Sequence, residues 1–308
     1  MSNEIGNGFN FDKDFVLKTC LILNDFPEIA FKVDNFNKKN MLSIEKNWED
    51  VSNALYLAIT LASSLGYNRD TLTSNIALIP IAYYLLKIGL PDNFSQSSKY
   101  LNDRKQIQKW LICSLLKKVF SGQPDNVLRP LRQVIANSDS SFPIEDIVEH
   151  FKGDVKSLIF SDDEIENLFY YQYGKAYTFS TLALLYPSLD FRNRFHVDHI
   201  FPKSLFTKKK LIKKGVPESK IEFYLGNFNY LANLQLLEGT PNLEKSSTDF
   251  KEWLYDTFPN KNERKDYKDY MEKHYIPDID LDLTNFDNFI TEREKLMSQK
   301  YKQILKLF

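Results

Sequence analysis

Apolar positions in the first half of the chain repeat at helical intervals. Over 48–65 the residues Trp48, Val51, Leu55, Ile59, Ala62 and Leu65 recur every three or four positions, which predicts an amphipathic helix that Gly66 stops. Ser74 precedes an unbroken apolar run of 11 residues, 76–86, and its hydroxyl suits the cap of a nearly wholly buried helix with Pro80 near its start. Ile107, Trp110, Leu111, Leu115 and Val119 form another stripe ending at Gly122, and 127–135 predicts a shorter helix around Pro130.

The stretch 137–143, NSDSSFP, is small, polar and turn-rich. It is the expected boundary between a helical scaffold domain over 1–138 and a second domain over 144–308. Helical patterns resume at 144–151, 163–171 and 178–186, and 286–308 predicts a closing helix with alternating charge on its exposed face. No repeat of 20 to 50 residues is visible. The fold class expected is therefore mainly α.

Composition changes this picture by exclusion. Lys and Arg total 40 against 41 Asp and Glu in 308 residues, so any surface for nucleic acid must be local. The longest apolar run is far short of the roughly 20 residues a bilayer span needs. The first 15 residues hold Glu4, Asp12 and Asp14 against Lys13 alone, without an apolar core of a secretory signal, and a cytoplasmic protein without a membrane partner is expected. Cys20 and Cys113 are isolated, which excludes a disulfide framework and a cysteine zinc site and predicts two buried, inert thiols. Neither GxxxxGK[ST] nor GxGxxG occurs, so no nucleotide site is expected in this chain.

Candidate chemistry concentrates in 194–258, where the helical texture gives way to β-branched, aromatic, Pro and Asn residues. RFHVDHIFPKSLF places Asp198 beside His199 in an extended pattern ending at Pro202. Adjacent strand residues point to opposite faces, so the two share a site only if the strand distorts there. A second short strand is expected at 234–237, then a turn at 238–241 and an amphipathic helix starting near Asn242. In such a two-strand, one-helix unit Asp198, His199 and Asn242 converge at one end. The acid and the amide would hold one hard cation, leaving its remaining coordination to water and a phosphate, as Mg²⁺ prefers, with the imidazole free as a base. His196, two residues before Asp198, is a candidate support of that site.

With D-H-I-x-P at 198–202, Asn233, Asn242 and Lys245 in place, this segment resembles the ββα-metal (His-Me finger) core of HNH endonucleases. Within that superfamily it is most similar to the C-terminal nuclease part of GmrSD-type modification-dependent restriction enzymes, on HVDHIFPKS and NLQLL. FDKDFVLKTCLILND at 11–25 and FITEREKLMSQKYKQIL at 289–305 also look like the helical parts of such proteins. The resemblance implies an HNH core at about 194–258 within helices. It implies His199 as general base, Asp198 and Asn242 as ligands of Mg²⁺ (Mn²⁺ as substitute), Asn233 as structural support, and Lys245 as a phosphate contact. Asn rather than His at the third motif position disfavours zinc and nickel. The family's ParB-like, nucleotide-hydrolysing domain carries a DGQQR-type motif that is not found in these residues. The expectation is a part of a longer protein or one half of a split system with a ParB-like partner.

Lys203, Lys208, Lys209, Lys210, Lys213 and Lys214 follow the motif without an intervening acid, and they are expected to neutralise DNA phosphates. Tyr170, Tyr171, Tyr173 and Tyr177 are expected to pack in the core rather than stack on bases, and His150 and His274 have no partner spacing that implies a role. The function expected is a metal-dependent DNA endonuclease of a type IV-like restriction system. The alternative is a catalytically silent DNA-binding or regulatory module of a defence complex.

Overall fold

The computed structural model describes residues 8–139, 141–187, 189, 193, 195–259 and 265–305. The chain divides into two compact units, the first running up to Ile159 and the second starting at Phe160. The first unit is helical: α1 (Lys13–Leu23), α2 (Lys38–Lys46), α3 (Trp48–Ser64), α4 (Leu78–Lys87), α5 (Leu101–Leu116), α6 (Asp125–Asn137) and α7 (Ile144–His150). Its most extensive packing is α3 on α4. Ala54, Ala58 and Ala62 of α3 and Ala77, Leu78, Ile81 and Ala82 at the start of α4 are all fully buried, the small side chains permitting close approach of the backbones. Pro80 is the third residue of α4, where its missing N–H leaves no helical bond unmade. The Ser74 hydroxyl does not cap this helix: a short 3-10 turn, Asn75–Ala77, intervenes, and Ser74 makes no side-chain cap bond there.

The turn-rich segment at 137–143 is not where the units divide. Phe142 is buried, with its ring 5.4 Å from Tyr84 and 5.7 Å from Trp110. Its N–H is bonded by the buried carboxylate of Asp103 at 3.1 Å. Helix α7 then lays Ile144, Ile147 and Val148 into the same core and packs on α5 and α6. Both thiols are buried, and burial pushes Cys20 up to about 11 and Cys113 up to about 12.

The second unit comprises α8 (Asp162–Asn167), α9 (Ala176–Leu185), β1 (Phe195–His199), α10 (Lys208–Lys213), α11 (Glu218–Asn227), β2 (Leu234–Glu238), α12 (Gly239–Lys245), α13 (Phe250–Thr257), α14 (Lys265–Lys273) and α15 (Phe286–Leu305). The strands pair antiparallel, with Val197 opposite Leu236, Asp198 opposite Gln235 and His199 opposite Leu234. Helix α12 follows β2 directly and packs against both strands. It starts at Gly239, ahead of the expected position near Asn242, because Pro241 is accommodated in the first turn. It ends at Lys245, and α13 is a separate helix capped by Asp249, whose carboxylate accepts from Lys251 N.

Beneath the exit of β1, the Phe201 ring meets Phe250 at 5.6 Å, Phe286 at 5.4 Å and Phe289 at 4.9 Å, so α13 and α15 share one aromatic core with the strand pair. Arg293 of α15 is fully buried, and its guanidinium donates to the carbonyls of Ala232 (2.7 Å), Leu234 (2.9 Å) and His274 (3.0 Å). Carbonyl dipoles solvate this charge internally and fasten the start of β2 to the closing helix. Among the described residues no helix is long and apolar enough to cross a membrane.

Candidate active site

Strand β1 runs in regular register to its last residue, His199, with no bulge. Asp198 and His199 reach a common cleft because the strand stops there and the chain bends at Ile200. Asn233 holds that bend. Its backbone carbonyl accepts from Ile200 N at 2.8 Å, and its fully buried amide accepts from Phe201 N at 2.9 Å. The same amide donates to the carbonyls of Phe201 (3.0 Å) and Phe228 (2.9 Å). A side chain with both donor and acceptor is needed to satisfy these three backbone groups at once.

The cleft has a volume of about 310 Å³ and is lined by Tyr173, Asp198, His199, Pro202, Lys203, Ser204, Ser246 and Ser247. The His199 ring is buried, with Tyr173 at 4.5 Å and Phe228 at 6.2 Å between centroids. Its Nε2 lies 2.9 Å from Asn229 Oδ1. An amide oxygen only accepts, so Nε2 carries the hydrogen and Nδ1 keeps its lone pair. No described group bonds Nδ1. Burial pushes the imidazole below its ordinary pKa of 6.5, Asn229 and Asp198 raise it in part, and Lys245 and Lys203 lower it further. The ring is therefore neutral at pH 7, with one nitrogen free to take a proton.

Asp198 is oriented from behind. Its Oδ2 is bonded by Gln235 Nε2 at 3.0 Å and by Lys245 Nζ at 2.9 Å, and Tyr270 donates to Gln235 Oε1 at 2.9 Å. Lys245 also donates to the His199 carbonyl. Its side chain is 0 % exposed, so it cannot touch a phosphate as expected; it is the internal counter-charge of Asp198. Burial pushes its ammonium below the ordinary range, and Asp198 pulls it back up. The other carboxylate oxygen, Oδ1, has no partner among the described residues.

Asn242 stands three residues before Lys245, half-buried on α12, with no hydrogen bond on its amide among the described residues. It does not line the cleft with Asp198 and His199. Among the described residues no group of three or more His, Cys, Asp and Glu side chains is placed to hold a metal. Of the two expected ligands only Asp198 lines the cleft, and its Oδ1 is a hard donor that would leave a cation most of its waters, which suits Mg²⁺ better than zinc.

His196 lies half-buried on β1 opposite Leu237 and is not among the described residues that line the cleft. Lys203, Lys208, Lys209, Lys210, Lys213 and Lys214 are all exposed, but Lys210 is tied to the Ser204 carbonyl at 2.7 Å and Lys214 to Asp249 at 3.1 Å. Tyr170 is exposed rather than packed in the core, Tyr171 stacks on Tyr177, and Tyr173 reaches the cleft. Asn229, Gln235, Tyr270 and Tyr173 are the site residues that motif spacing missed. Asn229 lies in the Asn-rich turn GNFNY, the one signal that points to it.

One wall of the cleft is strained. Ser246 has φ 43° and ψ −118°, and Thr248 N bonds the Lys245 carbonyl at 3.0 Å, which makes 245–248 a type II′ turn with Ser at its first central position. Glycine is the relaxed residue there, and another residue costs about 1–3 kcal/mol. Among known protein families and curated proteins, no family model and no relative matches this chain.

Proposed function

We propose that the second unit is a metal-dependent nuclease of the HNH type that hydrolyses phosphodiester bonds in DNA. The observation that carries this is the end of β1: a neutral, desolvated imidazole with Nδ1 unpaired shares a cleft with a carboxylate that has one oxygen held by Lys245 and Gln235 and the other unpaired. His199 Nδ1 takes the proton of the attacking water, and the Asn229 bond holds Nε2–H so that Nδ1 is the nitrogen left free for it. Asp198 is the Mg²⁺ ligand that the cleft offers, Asn242 on α12 standing outside its lining; a bound cation would stabilise the charge on the phosphate. Lys245 holds Asp198 in place and Asn233 holds the chain that carries His199. The biological setting that goes with this reading is a restriction system against foreign or modified DNA, with a ParB-like partner supplying nucleotide control.

The test is plasmid cleavage by the purified chain in Mg²⁺, alone and with His199→Ala. Cleavage by the parent that is lost in the variant supports the enzyme. Equal cleavage by both rejects His199 as the base. Binding of DNA without cleavage of plain or modified plasmid favours the silent DNA-binding module.

A further inference from the structure

The cleft wall contains groups that neither proton transfer nor cation binding employs. Ser204, Ser246 and Ser247 bring three hydroxyls and Lys203 an ammonium to it, all four residues exposed and with no side-chain hydrogen bond or ion pair among the described residues. Among the described residues the one carboxylate lining the cleft, Asp198, has its Oδ2 paired with Lys245. Three hydroxyls and an ammonium can all turn a donor towards one anion, and a charged acceptor makes those bonds stronger than neutral ones. Ser246 presents its hydroxyl from a backbone conformation where glycine would be relaxed, and strain of this kind clusters at ligand-holding positions. From Lys203 the chain continues to Lys208, Lys209 and Lys213, which are exposed and have no ion pair among the described residues, so positive charge extends along the sequence from the cleft. A series of cations fits a polyanion better than a lone phosphate ion.

Resting on the nuclease reading, we propose that Ser204, Ser246, Ser247 and Lys203 form a subsite that holds a backbone phosphate of the DNA strand beside the bond to be cut. These are positioning residues: they fix the strand in the cleft and leave proton transfer to His199.

The test measures binding of a short fluorescein-labelled DNA duplex by anisotropy in EDTA, so that no cleavage occurs, together with the thermal midpoint of each protein. Ser246→Gly relieves the turn and removes one hydroxyl, so it is expected to raise the midpoint and weaken binding about tenfold, the loss of one bond to a charged oxygen. The double variant Ser246→Ala, Ser247→Ala keeps the strain and is expected to weaken binding without raising the midpoint. Lys203→Met is expected to reduce the slope of log affinity against log salt by about 0.9. Ser246→Gly binding as tightly as the parent overturns the subsite and leaves the nuclease reading standing. A parent that binds no duplex overturns both.

Discussion

Replacing Lys245 by Met distinguishes an internal counter-charge from a phosphate contact, because the two roles put the loss in different measurements. Lys245 Nζ lies 2.9 Å from Asp198 Oδ2, and the Lys245 side chain is fully buried while that of Asp198 is 14 % exposed. Removing one partner of a buried pair costs about 3–5 kcal/mol, since the other charge is left uncompensated. Asp198 keeps the Gln235 bond and some contact with water, so the low end applies, about 3 kcal/mol. The His199 carbonyl also loses its donor, worth about 1 kcal/mol. A domain of this size loses about 2–4 °C in Tm per kcal/mol, so the total is a fall of about 8–16 °C. Removing both charges, in Asp198→Asn with Lys245→Met, should recover most of that loss, because no unpaired ion is left behind. A phosphate contact predicts the reverse: stability within about 0.5 kcal/mol of the parent and a salt slope for DNA binding smaller by about 0.9. Urea and thermal unfolding of the parent, the single variants and the double variant measure the first quantity, and a salt titration of binding measures the second. A Lys245→Met protein that loses less than about 1 kcal/mol, or a double variant no more stable than the single one, refutes the ion-pair argument.

Asn233→Ala strips two buried backbone groups of Phe201, its N–H and carbonyl, and the part-buried carbonyl of Phe228 of their partner, and should cost about 3 kcal/mol, read as a lower urea midpoint at unchanged m-value. His274 is buried against Tyr186 and Tyr270 with Lys273 and Arg293 nearby, and burial holds it well below its ordinary 6.5. The unfolded chain thus binds more protons below pH 6.5, so stability is full above that pH and falls as the pH drops towards the folded-state pKa. His274→Gln should flatten that fall by up to about 1.4 kcal/mol per pH unit in an unfolding series across pH 7 to 5. Changing Lys208, Lys209 and Lys213 together to Gln should leave stability within about 0.5 kcal/mol and lower the salt slope of DNA binding by about 3; an unchanged slope would remove these lysines from the interface.

How much of this was legible in the chain depends on the distance over which each feature is decided. The helix at Trp48–Ser64 follows from its own apolar period, and Pro80 near a helix start follows from its own missing N–H. Phe142 is different: its burial depends on Asp103, Tyr84 and Trp110, none of them local, so a segment that reads as a linker is part of a core. The site shows the same division. The spacing of Asn242 and Lys245 puts them on one face of a helix but does not say what that face meets, and the partner that decides Lys245 lies on a strand 47 residues earlier. Strand alternation requires Asp198 and His199 to point apart, yet both enter the cleft. The conflict is resolved by ending the ladder at His199 and bending at Ile200, and Asn233 fastens that bend through the polypeptide backbone. Backbone-directed bonds leave no pattern of residue types at their other end, which is why Asn233 shows in a motif while Phe201 and Phe228, the residues it grips, do not. Asn229 is hidden for a different reason. Its effect on His199 is a single bond between side chains brought together by a 30-residue excursion through α10 and α11, and only the folded chain makes that pairing visible.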